Sequence, residues 1–245
     1  MVTDNAGRYC FRNNESEEHL MSMDSDFNVR MISSGKRPAL HSYFDLCPES
    51  PDGRRAVFVE LPDDGFETFR AVTVDLGSGK RCAFAETLGG NHHGGLRQQW
   101  VGNDEIGWCQ QGEEGAAVTV VGSVPSRATR SIDGAIRMYC PANGMSLGST
   151  HEERITGSDI DRWEVYLMDL NHGTRKTVVT VDAVMQIHPL VDRIDPEIMC
   201  FKHTKWAPDG KHFFCVFHNA DTTQFRSGAI DKSRRLKSIL IADAE

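Results

Sequence analysis

Three side chains suited to holding a carboxylate recur at one spacing. Arg97, Arg137 and His203 each stand six positions ahead of an Asn or Asp in a turn sequence (Asn103, Asn143, Asp209), and Leu46 holds the matching place ahead of Asp52. A guanidinium offers paired N–H groups in a fork that fits a carboxylate, and an imidazole exchanges its proton near neutral pH. Such a ring suits an acidic sugar; the alternative is that the same groups bond carbonyls or carboxylates of the wall around them. Eleven positions ahead of the turn stand His41 and His92, with His93 beside the latter and Gln99 on the strand that follows. Neutral imidazoles with an amide oxygen could hold Mn²⁺, and would suit zinc as well. Exposed loop histidines are the plain alternative. His203 differs in falling inside an expected strand. His188, His212 and His218 read as structural, and His151-Glu152-Glu153-Arg154 reads as the start of a solvated charged loop.

The elements that would position these residues are repeated. Phe201 to Asn219 reads as a β-hairpin around Pro208-Asp209-Gly210, a turn with one fixed φ, one self-capping side chain and one residue free to take φ > 0. Leu46 to Val59 repeats it around Pro51-Asp52-Gly53, with weaker copies at Leu96 to Trp108 and Ile136 to Gly144. A second hairpin follows, at Ala71 to Arg81 and again at Val165 to Arg175. Hairpin plus hairpin is four strands per repeat, which is a propeller blade, and the first strand of each blade lines the central channel. The expected fold is therefore all-β, a β-propeller of about four antiparallel blades at 41–86, 92–130, 135–181 and 201–245. The polar residues 1–26 are expected to be disordered and 27–245 to form the propeller, with Phe27 to Ser34 a lone strand. Ser238 to Glu245 matches a third strand and then stops, so the sequence predicts a truncated propeller with edges open to self-association.

Composition narrows the function. A net charge of −8 over 245 residues argues against a nucleic-acid surface. No apolar run approaches a membrane span, and seven cysteines without CxxC spacing suit small buried hydrophobes in a reducing, cytoplasmic setting.

Tyr43-Phe44-Asp45 with Ser50-Pro51-Asp52-Gly53-Arg54-Arg55, the Leu96-Arg97-Gln98-Gln99-Trp100 run and the Phe201 to Phe213 hairpin together resemble the oligogalacturonate lyase-like branch of the TolB-type seven-bladed propellers. The resemblance spans nearly the whole chain but only the N-terminal portion of that architecture. It implies an intracellular enzyme that cleaves short galacturonide oligomers by β-elimination, with a divalent metal, usually manganese, held by histidines and a glutamine. Such chemistry needs a cation to stabilise the charge beside the carboxylate, a base for the C5 proton and an acid for the leaving oxygen. Arg97 and Arg137 would bind substrate, Arg137 and His203 would carry the chemistry, and His41, His92, His93, Gln99 and His203 would hold the metal. Later blades that complete the family's site are missing from the sequence, which leaves half a site. The alternative is a non-catalytic TolB-type propeller that binds carbohydrate or protein.

Overall fold

The structure is a computed structural model that describes residues 30–62, 67–159, 162–193, 199–219 and 236–244, together with three short strands before them. The chain divides into two units, Met1–Arg37 and Pro38–Glu245. In the first, where composition suggests disorder, β1 (Val2–Thr3), β2 (Tyr9–Phe11) and β3 (His19–Met21) pair antiparallel in sequence order. Of the expected lone strand, Phe27 to Val29 lies outside the described residues, and Arg30 to Ser34 is irregular rather than extended. A strand needs a neighbour to bond its backbone groups, and none of the described strands pairs with this stretch.

The second unit is four antiparallel sheets, each winding through its strands in sequence order. The first holds β4 (Ala39–Leu40), β5 (Arg55–Glu60), β6 (Phe69–Asp75) and β7 (Arg81–Thr87). Next come β8 (Gln99–Trp100), β9 (Glu105–Gln111), β10 (Ala117–Ser123) and β11 (Thr129–Asp133). The third has β12 (Ile136–Cys140), β13 (Met145–Ser149), β14 (Glu164–Asp169) and β15 (Thr174–Thr180). In the fourth the described strands are β16 (Met199–Trp206), β17 (His212–Asn219) and β18 (Lys237–Asp243). These are the blades of a β-propeller.

Burial follows strand order. Second strands are buried at most positions in all four blades, as in the Ala56-Val57-Phe58-Val59 run on β5, and so are the third strands of blades one to three; β18 in blade four instead alternates between exposed and half-buried, with Ile239 and Ile241 exposed. Fourth strands such as β15 are exposed at most positions. Three cores lie between successive blades: Val59, Phe69, Ile106 and Trp108 between one and two, Val121, Ile136 and Tyr166 between two and three, and Leu147, Phe201, Phe213 and Phe217 between three and four. Trp100 and Trp206, aligned in the repeat, do the same work in two places: their indole N–H groups donate to Pro48 O (2.8 Å) and Met138 O (3.1 Å) of the preceding blade. The turn chemistry is as the sequence implies, with Gly53 and Gly210 at φ 70° and 66°.

Blade three departs from the pattern in a way that matters for the site. Its β13–β14 connection is not a plain turn but contains the helix α1 (Thr150–Thr156), and α2 (Val181–Ile187) follows β15. The charged run from His151 to Arg154 is therefore helical, and Glu152 is buried instead of solvated. Among the described residues no helix is long and apolar enough to cross a membrane.

Candidate functional site

The shared offset of Arg97, Arg137 and His203 has a backbone counterpart. Arg97 and His203 occupy the left-handed region, at φ 56° and 53°, where side chains other than glycine crowd the following carbonyl. Arg137 and His203 also fall where the pairing register shifts, between Ile136 and Met138 on β12 and between Lys202 and Lys205 on β16. A bulge takes one residue out of the strict in–out alternation and re-aims its side chain.

All three side chains meet at Tyr43, in the β4–β5 connection of blade one. The guanidinium carbons of Arg97 and Arg137 lie 4.5 Å and 5.2 Å from its ring centroid. The His203 ring stacks at 6.4 Å, and the exposed His93 approaches edge-on at 5.1 Å. A cationic fork over a phenol face is favoured by the ring's quadrupole. Leu46, the blade-one counterpart, is a buried core residue instead.

Two carboxylates organise the cations. Glu152, delivered from α1, accepts from Arg97 Nε at 2.8 Å and lies 3.4 Å from Arg137 Nε. Asp45 Oδ2 sits 2.6 Å from Arg137 Nη2 and 2.9 Å from Lys205 Nζ. The arginines are bound by one edge and not the other: Nη1 of Arg97 and Nη1 of Arg137 are buried without a hydrogen-bond partner, as are Asp45 Oδ1 and His151 Nδ1. Buried polar atoms of this kind are few in native proteins and mark places where something else binds or strain is stored.

The electrostatics keep the carboxylates ionised and the imidazoles neutral. Burial pushes the Glu152 carboxyl up, but the Arg97 and Arg137 guanidinium groups outweigh it and hold it below its ordinary value. Asp45 is likewise lowered, burial being overcome by hydrogen bonds from Arg137 and Lys205. Burial depresses His151 to about 3, and partial desolvation with the nearby Arg137 charge lowers His203, whose side chain is otherwise solvent-exposed. A neutral imidazole beside fixed guanidinium groups can accept a proton.

Of the expected metal ligands, His93 and His203 both lie against Tyr43, and His41, His92 and Gln99 do not join them. His41 and His92 are exposed and take no part in the ring and ion-pair contacts around Tyr43. Gln99 is buried and spent on the inner strands: its Nε2 donates to Arg97 O (3.1 Å) and Arg137 O (3.4 Å), and its Oε1 accepts from Tyr139 N (2.7 Å). Among the described residues no three His, Cys, Asp or Glu side chains form a set that could hold a metal. With Arg97, Arg137 and Lys205 already in place, a divalent cation would meet repulsion. The site as built does not fit the Mn²⁺ that the resemblance implies.

The sequence offsets missed Tyr43, Asp45, Glu152, His151 and Lys205. Glu152 had a signal: Ser149-Thr150-His151-Glu152 has the Ser-x-x-Glu form of a helix start, and Ser149 Oγ does accept from Glu152 N, at 3.4 Å. Tyr43 and Asp45 lie in an irregular segment with no periodicity to place them.

No protein-family model matches the chain, and no curated protein matches it in sequence. Several solved structures are similar in shape. TolB from Acinetobacter baumannii has 14% identity and a TM-score of 0.49, over 86% of this chain and 42% of that one. The β-propeller domain of the Trilobed protease from Pyrococcus furiosus has 10% identity and a TM-score of 0.45, over 80% and 52%. A putative TolB from Agrobacterium tumefaciens has 12% identity and a TM-score of 0.38, over 88% and 80%. The chain spans about half the length of the first two. The sheets themselves, four in succession and each an antiparallel meander, make the architecture a β-propeller.

Proposed function

We propose that the inner-strand cluster binds a carboxylated sugar, a short uronide oligomer, and acts on it by β-elimination. The observation that carries this reading is the pair of buried guanidinium groups, each tied down by its Nε edge and each leaving Nη1 unpartnered beneath Tyr43. The cluster has three cations, Arg97, Arg137 and Lys205, against two carboxylates, Asp45 and Glu152, so it carries a positive excess that a uronate would neutralise. Because both Nη1 atoms are buried, the substrate carboxylate takes its place only when the Tyr43 ring swings aside. In the reaction the neutral His203 takes the C5 proton, and that electron pair forms the C4–C5 double bond. The C4–O bond then breaks, and the leaving oxygen takes a proton from water. Arg97 and Arg137 hold the carboxylate and stabilise the charge that builds on it.

A binding-only propeller is the second reading, favoured by the tight Glu152 clamp on both arginines and by the absence of a fitted metal set among the described residues. Galacturonide oligomers titrated into the chain by calorimetry, with product followed by the ultraviolet absorbance of the new double bond, separate the two. The expected result is saturable binding and turnover, with His203→Gln keeping the binding and losing about two orders of magnitude or more of turnover. Binding without turnover in the unaltered chain leaves the second reading alone. No binding overturns the uronide site in both readings.

A further inference from the structure

A second concentration of positive charge lies between blades one and two and shares no residue with the inner cluster. It is a cleft of about 270 Å³ whose lining includes Arg55, Asp75, Lys80, Arg81, Pro125 and Arg127. Four cations and one carboxylate on a single cleft stand out in a chain of net charge −8. That carboxylate is already engaged, since Asp75 Oδ1 accepts from both the backbone N–H and the hydroxyl of Ser78 at 2.7 Å. Two of the cations are answered from outside the cleft: Arg55 by Asp104 at 2.6 Å, and Arg81 by Glu60. Even so, Arg81 Nε is buried without a hydrogen-bond partner. Lys80 and Arg127 form no ion pair with any described residue.

The backbone at Arg127 points the same way. The β10–β11 turn closes with Arg127 N donating to Ser123 O at 2.8 Å, just as Gly79 N donates to Asp75 O (2.8 Å) after β6 and Gly173 N to Asp169 O (2.9 Å) after β14. Blades one and three fill this left-handed position with glycine, at φ 73° and 67°, whereas blade two holds an arginine there at φ 60°. An L-residue with a side chain is crowded in that conformation, and such outliers gather where a side chain is needed for binding.

We propose that this cleft binds a tetrahedral dianion, the phosphate or sulfate group of a small metabolite. Lys80 and Arg127 supply two charges without a counterion among the described residues and Arg81 Nε supplies a buried donor, whereas a flat monoanionic carboxylate would leave one of those charges unmatched.

The test is calorimetric titration of the chain with inorganic phosphate, sulfate and acetate at matched ionic strength. Saturable binding of phosphate or sulfate, at least about tenfold tighter than acetate, is expected, and whichever of the two binds more tightly identifies the group. Arg127→Gly installs the residue that the equivalent turns use, so its thermal midpoint should match or exceed that of the unaltered chain while its affinity falls about tenfold or more, the scale of a lost charge-assisted hydrogen bond. Lys80→Gln should weaken binding likewise, and the exposed Lys176→Gln should leave it unchanged. The proposal is overturned by the absence of saturable binding to either dianion, or by unchanged affinity in both Arg127→Gly and Lys80→Gln.

Discussion

Glu152 and Glu153 are neighbours on one short helix, yet they serve two different kinds of ion network. Glu153 Oε1 accepts from Arg175 Nη1 (2.8 Å) and from the Tyr166 hydroxyl (2.7 Å). Arg175 Nη2 reaches Glu164 (2.6 Å), Thr177 caps the other Glu164 oxygen (3.0 Å), and the Arg175 guanidinium lies 4.2 Å from the Tyr166 ring centroid. None of these side chains has a buried polar atom left unpartnered, and Arg162 and Arg175 balance Glu153 and Glu164. The network around Glu152 has a cation in excess and orphaned atoms on Arg97, Arg137 and Asp45. A network that only fastens the fold closes on itself, and one that receives a ligand leaves donors over.

The sharpest way to break this contrast is to neutralise each glutamate in turn. Glu152→Gln removes the carboxylate that pairs with the buried Arg97 and leaves Arg137 with Asp45 alone, and should lower unfolding stability in urea by about 3–5 kcal/mol. Glu153→Gln, whose partner Arg175 is 31% exposed and can turn to water, should lower it by only about 1–2 kcal/mol. Equal losses would mean that the two networks are of one kind.

Tyr166→Phe probes the closed network from its centre. The hydroxyl donates to Glu153 and accepts from Ala135 N at 2.7 Å, so its removal leaves a buried N–H unmet and should lower stability by about 1–3 kcal/mol. Urea denaturation of the variant measures this directly, and no change would show that the closed network is not closed at Tyr166.

A smaller effect separates the networks by acid. The carboxyls of Glu152 and Asp45 are held below their ordinary values of 4.5 and 3.8, so the stability they contribute is full above those values and is lost as pH falls through the lower folded values. The stability gap between the unaltered chain and Glu152→Gln should therefore narrow steadily below about pH 4.5. A gap that stays constant down to pH 2 would remove the link between Glu152 ionisation and the cluster.

These contrasts also show what a sequence can and cannot disclose. The blades were legible because Pro51-Asp52-Gly53 and Pro208-Asp209-Gly210 are turns that dictate their own geometry, and counting back six residues from the turns found Arg97, Arg137 and His203 together. Gln99, read as a metal ligand beside His92 and His93, spends its amide on the backbone carbonyls of Arg97 and Arg137, and that competition is invisible without the neighbouring strand. Glu152 looked solvated because four consecutive charged or polar residues suggest surface, and only the insertion of α1 between β13 and β14 carries one of them inward. Tyr43 and Asp45 depend on contacts made across 54 to 160 positions of chain, to Arg97, Arg137, His203 and Lys205, which no local pattern encodes.

The left-handed backbone at Arg97 and His203 bears on how this propeller could change under selection. Glycine in place of the exposed His203 would relieve crowding worth about 1–2 kcal/mol, whereas glycine in place of Arg97 would also strand the buried Glu152, so selection for heat resistance alone would erode the histidine before the arginine. Histidine at position 203 is therefore a liability to the fold, while Arg97 is held in place by its buried ion pair.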